Sequence, residues 1–178
     1  MLDENSRAGS GFLSDLCQEW EAAAEPARQA GISILHLRLG VVFSTRGGML
    51  KKVVPLFKSG LGGVLGNGRQ YLSWITLHDL VRMFLFLLDH PELNGPINAV
   101  SPRPVTNREF TRTLAKLLHR PALAPFPAWA IRGLLGEQGT ALFLASQRVV
   151  PARLIESGFQ FQHAELEEGL RHELESAD

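Results

Sequence analysis

The sequence has little of what marks several large protein classes. One cysteine among 178 residues excludes an internal disulfide framework and a zinc site built on cysteines. The 18 Lys and Arg residues balance the 18 Asp and Glu residues, which leaves no basic surplus for binding nucleic acid. The longest apolar stretch, 81–88, is interrupted by Arg82 and is too short to span a bilayer, and no signal peptide follows Met1. These absences predict a soluble protein of a reducing compartment, the cytoplasm.

What is present is typical of a globular domain, with 45% hydrophobic and 20% charged residues. Apolar periodicity predicts a helix over 12–29 that buries Cys17 on its apolar face. A strand buried on both faces is predicted over 32–38. A helix followed by a strand, with no strand before it, is half of a β–α–β unit. We therefore expect the chain to be a piece of a longer protein.

Alternating strands and helices continue through the middle of the chain. Strands are predicted over 40–43, 71–75 and 95–100, and helices over 49–58 and 79–89, with Pro55 disrupting the second half of the first helix. Thr106 and Glu109 form a capping box that opens a helix to about residue 118. Beyond residue 120 the pattern becomes mainly helical, with helices expected from residue 127, from residue 151 and over 166–174. The expected organisation is an α/β domain over 1–120 and a small helical domain over 121–178.

The glycine-rich segment 60–68 invites comparison with phosphate-binding loops. It is not a P-loop, because Gly68 is followed by Arg69 and not by Lys. It is not a dinucleotide fingerprint either, because a helix precedes it and a strand follows it. Two interpretations stay open: a flexible loop, or a substrate lid that brings Arg69 to an anionic ligand.

The remaining reactive residue types form no recognisable constellation. The six histidines include no pair at the i, i+4 spacing of a metal site, so we expect scattered surface or capping residues and no metal. Ser73, His78 and Asp79 lack the nucleophile elbow of a hydrolase. Trp74 is either a core residue or a stacking platform, and the sequence does not separate the two.

Several strings in the chain resemble one known family. The strings lie at 12–21, 37–42, 62–75, 79–80 and 98–102, and in the tail at 120–122, 136–137, 147–151 and 158–159. They resemble atypical extended short-chain dehydrogenase/reductases of the nucleoside-diphosphate-sugar epimerase type, also described as cell-division-inhibitor homologues. The tail resembles the small C-terminal domain of unknown function of that family. The resemblance covers essentially the whole chain and corresponds to the C-terminal half to two-thirds of a family member.

The resemblance implies a fold and an activity for a full-length relative. The fold would be a Rossmann-like parallel sheet, incomplete here because the N-terminal cofactor-binding half is absent. The activity would be reversible hydride transfer between NAD or NADP and a nucleotide-linked sugar, the chemistry of an oxidoreductase or isomerase. We expect the chain alone to bind no cofactor and to be inactive. The alternative is a non-catalytic ligand-binding or regulatory module that keeps the fold.

The resemblance also assigns site residues. The Tyr-x-x-x-Lys pair of the family falls at Leu13 and Cys17, which cannot perform acid–base chemistry, so we expect no catalytic residue in this chain. The resemblance also implies a cofactor-binding segment, which consists of Leu39, Gly40 and Val41. Its backbone groups would lie beside the nicotinamide end of the cofactor.

The expected ligand is a small nucleotide-sugar-like molecule. Three residues near the glycine-rich segment are expected to line its pocket: Arg69, Gln70 and Trp74. Unpaired strand edges are expected to favour self-association into a homo-oligomer.

Overall fold

The computed structural model describes residues 1–122 and 146–176 and shows a mixed α/β fold. That part of the chain contains the strands β1 (Leu35–Leu39), β2 (Val41–Phe43), β3 (Tyr71–Leu72), β4 (Trp74–Thr76), β5 (Gly95–Ala99) and β6 (Val105–Thr106). Its helices are α1 (Phe12–Ala22), α2 (Glu25–Gln29), α3 (Gly48–Lys58), α4 (Leu77–Leu88), α5 (Asn107–Leu117), α6 (Ala152–Glu156) and α7 (Leu166–Glu175). The predicted helices and strands outside 123–145 are thus largely present, and those within 123–145 lie outside the described residues.

Two parallel strand pairs form the centre of the fold. β1 pairs with β5 in a register that sets Leu39 opposite Ala99, and β2 pairs with β4. Helices α3 and α4 connect these strands, as crossovers between parallel strands require. β3 and β6 form a small antiparallel pair beside them. The predicted α/β class is confirmed.

Gly40 is the point where the chain changes strand partners. The Gly40 amide donates to the Ala99 carbonyl (3.2 Å), and the next amide, of Val41, donates to the Ser73 carbonyl (2.8 Å). A Cβ at position 40 would lie 2.6 Å from Val100 Cγ1 and 2.7 Å from the Ser73 oxygen. Only glycine allows the two strand pairs to approach each other this closely.

The hydrophobic core has two parts, and both include the C-terminal segment. One part packs Phe43 and Trp74 against α3, α5 and α7, and includes Leu170 of α7. The other packs β4, β5 and α4 together and includes Leu154 of α6 and Phe159. Residues 146–176 therefore complete the core of the preceding α/β part. The boundary predicted at 120/121 stays a prediction, because it adjoins residues outside the described ranges.

Several local expectations are wrong. The predicted helix over 12–29 is broken between Ala22 and Glu25, and Cys17 is exposed because α1 buries none of its residues. Strand β1 is half-buried to exposed and not buried on both faces. Helix α3 continues through Pro55 to Lys58, because one lost amide does not outweigh the packing of its buried residues. No helix in the described ranges is long and apolar enough to cross a membrane.

We predict that Gly40→Ala lowers the free energy of unfolding by about 1–3 kcal/mol, because the added methyl group overpacks the contact with Ser73 and Val100. The measurement is urea unfolding followed by circular dichroism. Gly9→Ala is the matched control, since a Cβ there would meet only Ser14 Oγ at 3.9 Å. Equal stability losses in the two variants would show that the close approach at Gly40 is not a constraint.

Candidate functional site

The cofactor-binding segment predicted from the resemblance lies at the carboxyl end of a parallel strand. In open α/β sheets, ligands bind outside this end of the strands. β1 ends at Leu39, whose side chain is 56% exposed. The amides of Gly40 and Val41 are used by the sheet and are not available to a ligand. A ligand at this edge would therefore contact the Leu39 side chain and not these two amides.

Helix α1 carries neither a tyrosine nor a lysine. Leu13 and Cys17, to which the resemblance assigns the positions of the acid–base pair, are both exposed. The one tyrosine of the sequence, Tyr71, lies on β3, where the Arg148 guanidinium stands 4.9 Å from its ring centre. The described residues therefore provide no Tyr–Lys pair on α1.

An ion pair connects α1 to the end of β1. The Arg38 guanidinium donates two hydrogen bonds of 2.7 Å to the Glu21 carboxylate. These hydrogen bonds lower the pKa of Glu21 below its ordinary value. The pair is partly exposed, so it positions α1 more than it stabilises the fold.

The glycine-rich segment is fastened at several points. The Leu65 amide donates to Asn107 Oδ1 (2.9 Å), and the Arg108 amide donates to the Gly68 carbonyl (3.0 Å). Gln70 Nε2 donates to the Leu65 carbonyl (3.0 Å). These bonds join the segment to the start of α5, so the structure favours a fixed loop over a freely moving lid.

The structure does not bring Arg69, Gln70 and Trp74 to one pocket. Arg69 is exposed, whereas the Gln70 side chain turns inward to the loop. Trp74 is fully buried, stacks on Phe43 with ring centres 5.1 Å apart, and donates its Nε1–H to the Arg103 carbonyl. This burial corresponds to the core alternative for Trp74, because a ligand could reach the ring only by opening the core.

Three histidines meet where the sequence predicted scattered ones. His78 begins α4, His163 lies just before α7, and His172 is on α7. The ring centres of His163 and His172 are 4.2 Å apart, and the His78 ring lies 5.4 Å and 5.2 Å from them. Since 85 residues separate His78 from His163, no spacing pattern could have shown this cluster. The described part of the chain holds no group of side chains suited to a metal ion.

Asp79, beside this cluster, acts as a structural acceptor. Its carboxylate is 1% exposed and accepts the backbone amides of Gln162 (3.0 Å) and His163 (2.9 Å), together with Arg82 Nη1 (3.0 Å). The burial of the carboxylate and its three donors keep it away from solvent. Asp79 therefore holds the C-terminal segment in place.

Comparison with known proteins matches the resemblance seen in the sequence. Residues 126–173 match a domain of unknown function, DUF1731. The chain is 45% identical over 172 residues to an epimerase family protein of Mycobacterium leprae, covering 97% of this chain and 56% of that protein.

Two solved structures have a closely similar fold. The human epimerase family protein SDR39U1 (isoform 2), solved with NADPH, matches with a TM-score of 0.90 and 32% identity, over 98% of this chain and 59% of that chain. The nucleoside-diphosphate sugar epimerase of Corynebacterium glutamicum matches with a TM-score of 0.79 and 35% identity, over 97% of this chain and 33% of that chain.

These likenesses show a Rossmann-like α/β fold, the fold of the two epimerase structures. Within that class, the chain is similar to the C-terminal part of epimerase family proteins, and the family resemblance is confirmed. The chain spans 56% of the length of the Mycobacterium leprae relative.

We predict that Asn107→Ala lowers the free energy of unfolding by about 1–3 kcal/mol, because the Leu65 amide loses its acceptor. The same variant should be cleaved faster within 60–68 in limited proteolysis. Asn94→Ala is the control, since the Asn94 amide makes only a local contact with the Glu92 carbonyl on the surface. Equal cleavage of the wild type and both variants would indicate a loop that is already mobile.

Proposed function

We propose that this chain is the substrate-side part of an NAD(P)-dependent oxidoreductase of the nucleotide-sugar epimerase type. The observation that carries the proposal is the close structural match to a human relative solved with NADPH. The exposed carboxyl end of β1 supports it, because this is where ligands of parallel sheets bind. A bound nicotinamide would supply hydride transfer, and the chain would supply contacts to cofactor and substrate.

The chain's residues fit one end of such a cofactor. The exposed Leu39 side chain offers an apolar contact for a flat nicotinamide ring. The amides of Gly40 and Val41 are held within the sheet, so they keep this edge rigid. The proposed contact therefore involves fewer groups than the sequence predicted, because it uses the Leu39 side chain and not the amides of Gly40 and Val41.

Arg69 is the substrate-side residue that we retain. Its guanidinium is exposed beside the fastened glycine-rich segment, and its amide is fixed by Asn67 Oδ1 (2.9 Å). Arginine is suited to a diphosphate because it donates two parallel hydrogen bonds. We propose that Arg69 contacts the phosphate of a nucleotide-sugar-like ligand, with the inward-turned Gln70 holding the loop.

A non-catalytic ligand-binding module is the second candidate. It is favoured by Leu13 and Cys17, which occupy the acid–base positions and carry no suitable group. Such a module would keep the cofactor edge without the redox reaction. The two candidates differ in hydride transfer between the cofactor and a substrate, measured in a form of the protein that binds the cofactor. The oxidoreductase would transfer hydride, and the non-catalytic module would not.

The first test uses the 178-residue chain by itself. We predict no saturable binding of NADPH or NADH in titration calorimetry, because the described residues include no Gly-x-x-Gly-x-x-Gly turn that follows a strand and precedes a helix to hold the diphosphate. A dissociation constant in the low micromolar range would contradict this. Sedimentation of the same sample tests the proposed self-association, which a concentration-independent monomer would exclude.

A chimera tests the proposed site directly. The N-terminal part of the Mycobacterium leprae relative is joined to this chain, and NADPH binding is measured. Leu39→Glu should weaken binding about tenfold, by removing an apolar contact worth roughly 1.5 kcal/mol. Leu61→Glu is the matched control, since Leu61 is 55% exposed and Leu39 is 56% exposed. Equal affinities in the two variants would place the nicotinamide elsewhere.

A further inference from the structure

The cluster of His78, His163 and His172 joins three separate segments. His78 belongs to the first turn of α4, His163 to the chain preceding α7, and His172 to α7 itself. The rings of His163 and His172 are stacked with an interplanar angle of 24°, and His78 meets both edge-on. Neutral imidazoles pack well in this arrangement, whereas stacked imidazolium ions would repel each other.

The His163 ring has no hydrogen-bond acceptor in place for a proton on Nδ1. Its Nδ1 is buried and makes no hydrogen bond, and the nearest carboxylate oxygen, Oδ2 of Asp79, is 3.9 Å away. That oxygen already accepts the His163 backbone amide. Burial, and then the neighbouring His172, lower the pKa of His163 below its ordinary value, although Asp79 opposes this.

The charged and polar groups around the cluster come from every element packed there. Helix α4 contributes Asp79 and Arg82, and the chain before α7 contributes Gln162. Helix α7 contributes Glu168 and Glu173. The turn after β2 contributes Thr45 and Arg46. Gln162 Oε1 lies 2.8 Å from His78 Nε2. Arg46 and Arg82 line a depression of about 270 Å³ that includes His78 and His172. Asp79 and Glu168 favour a positive charge on His163, whereas burial and the neighbouring rings of His172 and His78 oppose it.

The cluster lies where α7 docks on the α/β part. Glu173 Oε1 accepts the Leu77 amide at the start of α4 (3.0 Å), and Thr45 Oγ1 donates to the Glu173 carbonyl (3.1 Å). One helical turn earlier, Gly169 packs against Trp74, where a Cβ would come within 2.8 Å of the indole ring. A change of charge at the histidines therefore acts directly on the docking of α7.

We propose that His78, His163 and His172 form a proton-sensitive latch, in which the neutral rings hold α7 against α4 and protonation releases α7. Release opens the depression beside Arg46 and Arg82 and exposes the face of α7 that carries Leu170. The latch is independent of the proposed cofactor site, because it uses none of the residues at the end of β1.

The sign of the effect follows from the direction of each pKa shift. A histidine whose pKa is lowered in the folded state contributes stability above its ordinary pKa, about 6.5, and this contribution is lost as the pH falls. Burial raises the pKa of Glu173, so its contribution has the opposite sign: it is present at low pH and lost as the pH rises. Weakening of α7 on acidification thus requires the contribution of His163 to exceed that of Glu173.

The test is amide hydrogen exchange of the 178-residue chain between pH 7.5 and pH 5.5, expressed as protection factors so that the intrinsic pH dependence cancels. We expect the opening constant of α7 to rise on acidification, by up to about tenfold per pH unit for each proton taken up. The amides of β1, which pairs with β5 and lies outside the cluster, should change much less. Equal loss of protection in β1 and α7 would indicate global unfolding and contradict the latch.

Variants distinguish the effect of protonating the cluster from other effects of low pH on α7 opening. His163→Gln and His172→Gln should each reduce the pH dependence of α7 opening, whereas His119→Asn, at an exposed position with φ of 51°, should leave it unchanged. If His163→Gln does not fold, the His163 Cε1 proton of the wild type is titrated by NMR instead. A titration midpoint at or above the ordinary histidine value, or an unchanged pH dependence in His172→Gln, would overturn the proposal.

Discussion

The close approach at Gly40 is the constraint on which the rest of the fold depends. Here the chain leaves β5 and pairs with β4 over two successive residues, so one bent strand serves both parallel pairs. A side chain at this position would separate the pairs and with them the two parts of the core. The same bend brings Leu39 to the carboxyl end of the strands, where the proposed cofactor contact lies. The position of the site is therefore a consequence of how the sheet is joined.

Buried carboxylates then fix the distant segments to this sheet. Glu4 accepts the amides of Asn98 (2.9 Å) and Arg153 (3.4 Å), and Asp79 accepts those of Gln162 and His163. Glu173 does the same at the start of α4. Each carboxylate satisfies amides from a segment far away in sequence, which gives these charges a structural use and explains their burial. The C-terminal segment is held by polar contacts of this kind together with its apolar residues.

What the sequence predicted correctly depends on local interactions. Thr106 caps α5 by accepting the amide three residues later, as the residue pattern indicated, and Thr76 caps α4 in the same way. What it missed depends on contacts between distant residues. The exposure of Cys17 reflects a helix that buries none of its residues fully, and the histidine cluster requires α7 to dock beside α4. Periodicity describes one element and carries no information about its partner.

If the junction at Gly40 holds the two strand pairs together, its amides should be among the best protected, and hydrogen exchange measures this protection. We expect the Gly40 and Val41 amides to exchange only through global unfolding, with protection at least about a hundredfold above that of α1, which buries no residue. Exchange of the Gly40 and Val41 amides at the rate of the α1 amides would show that the junction at Gly40 does not hold the two strand pairs together.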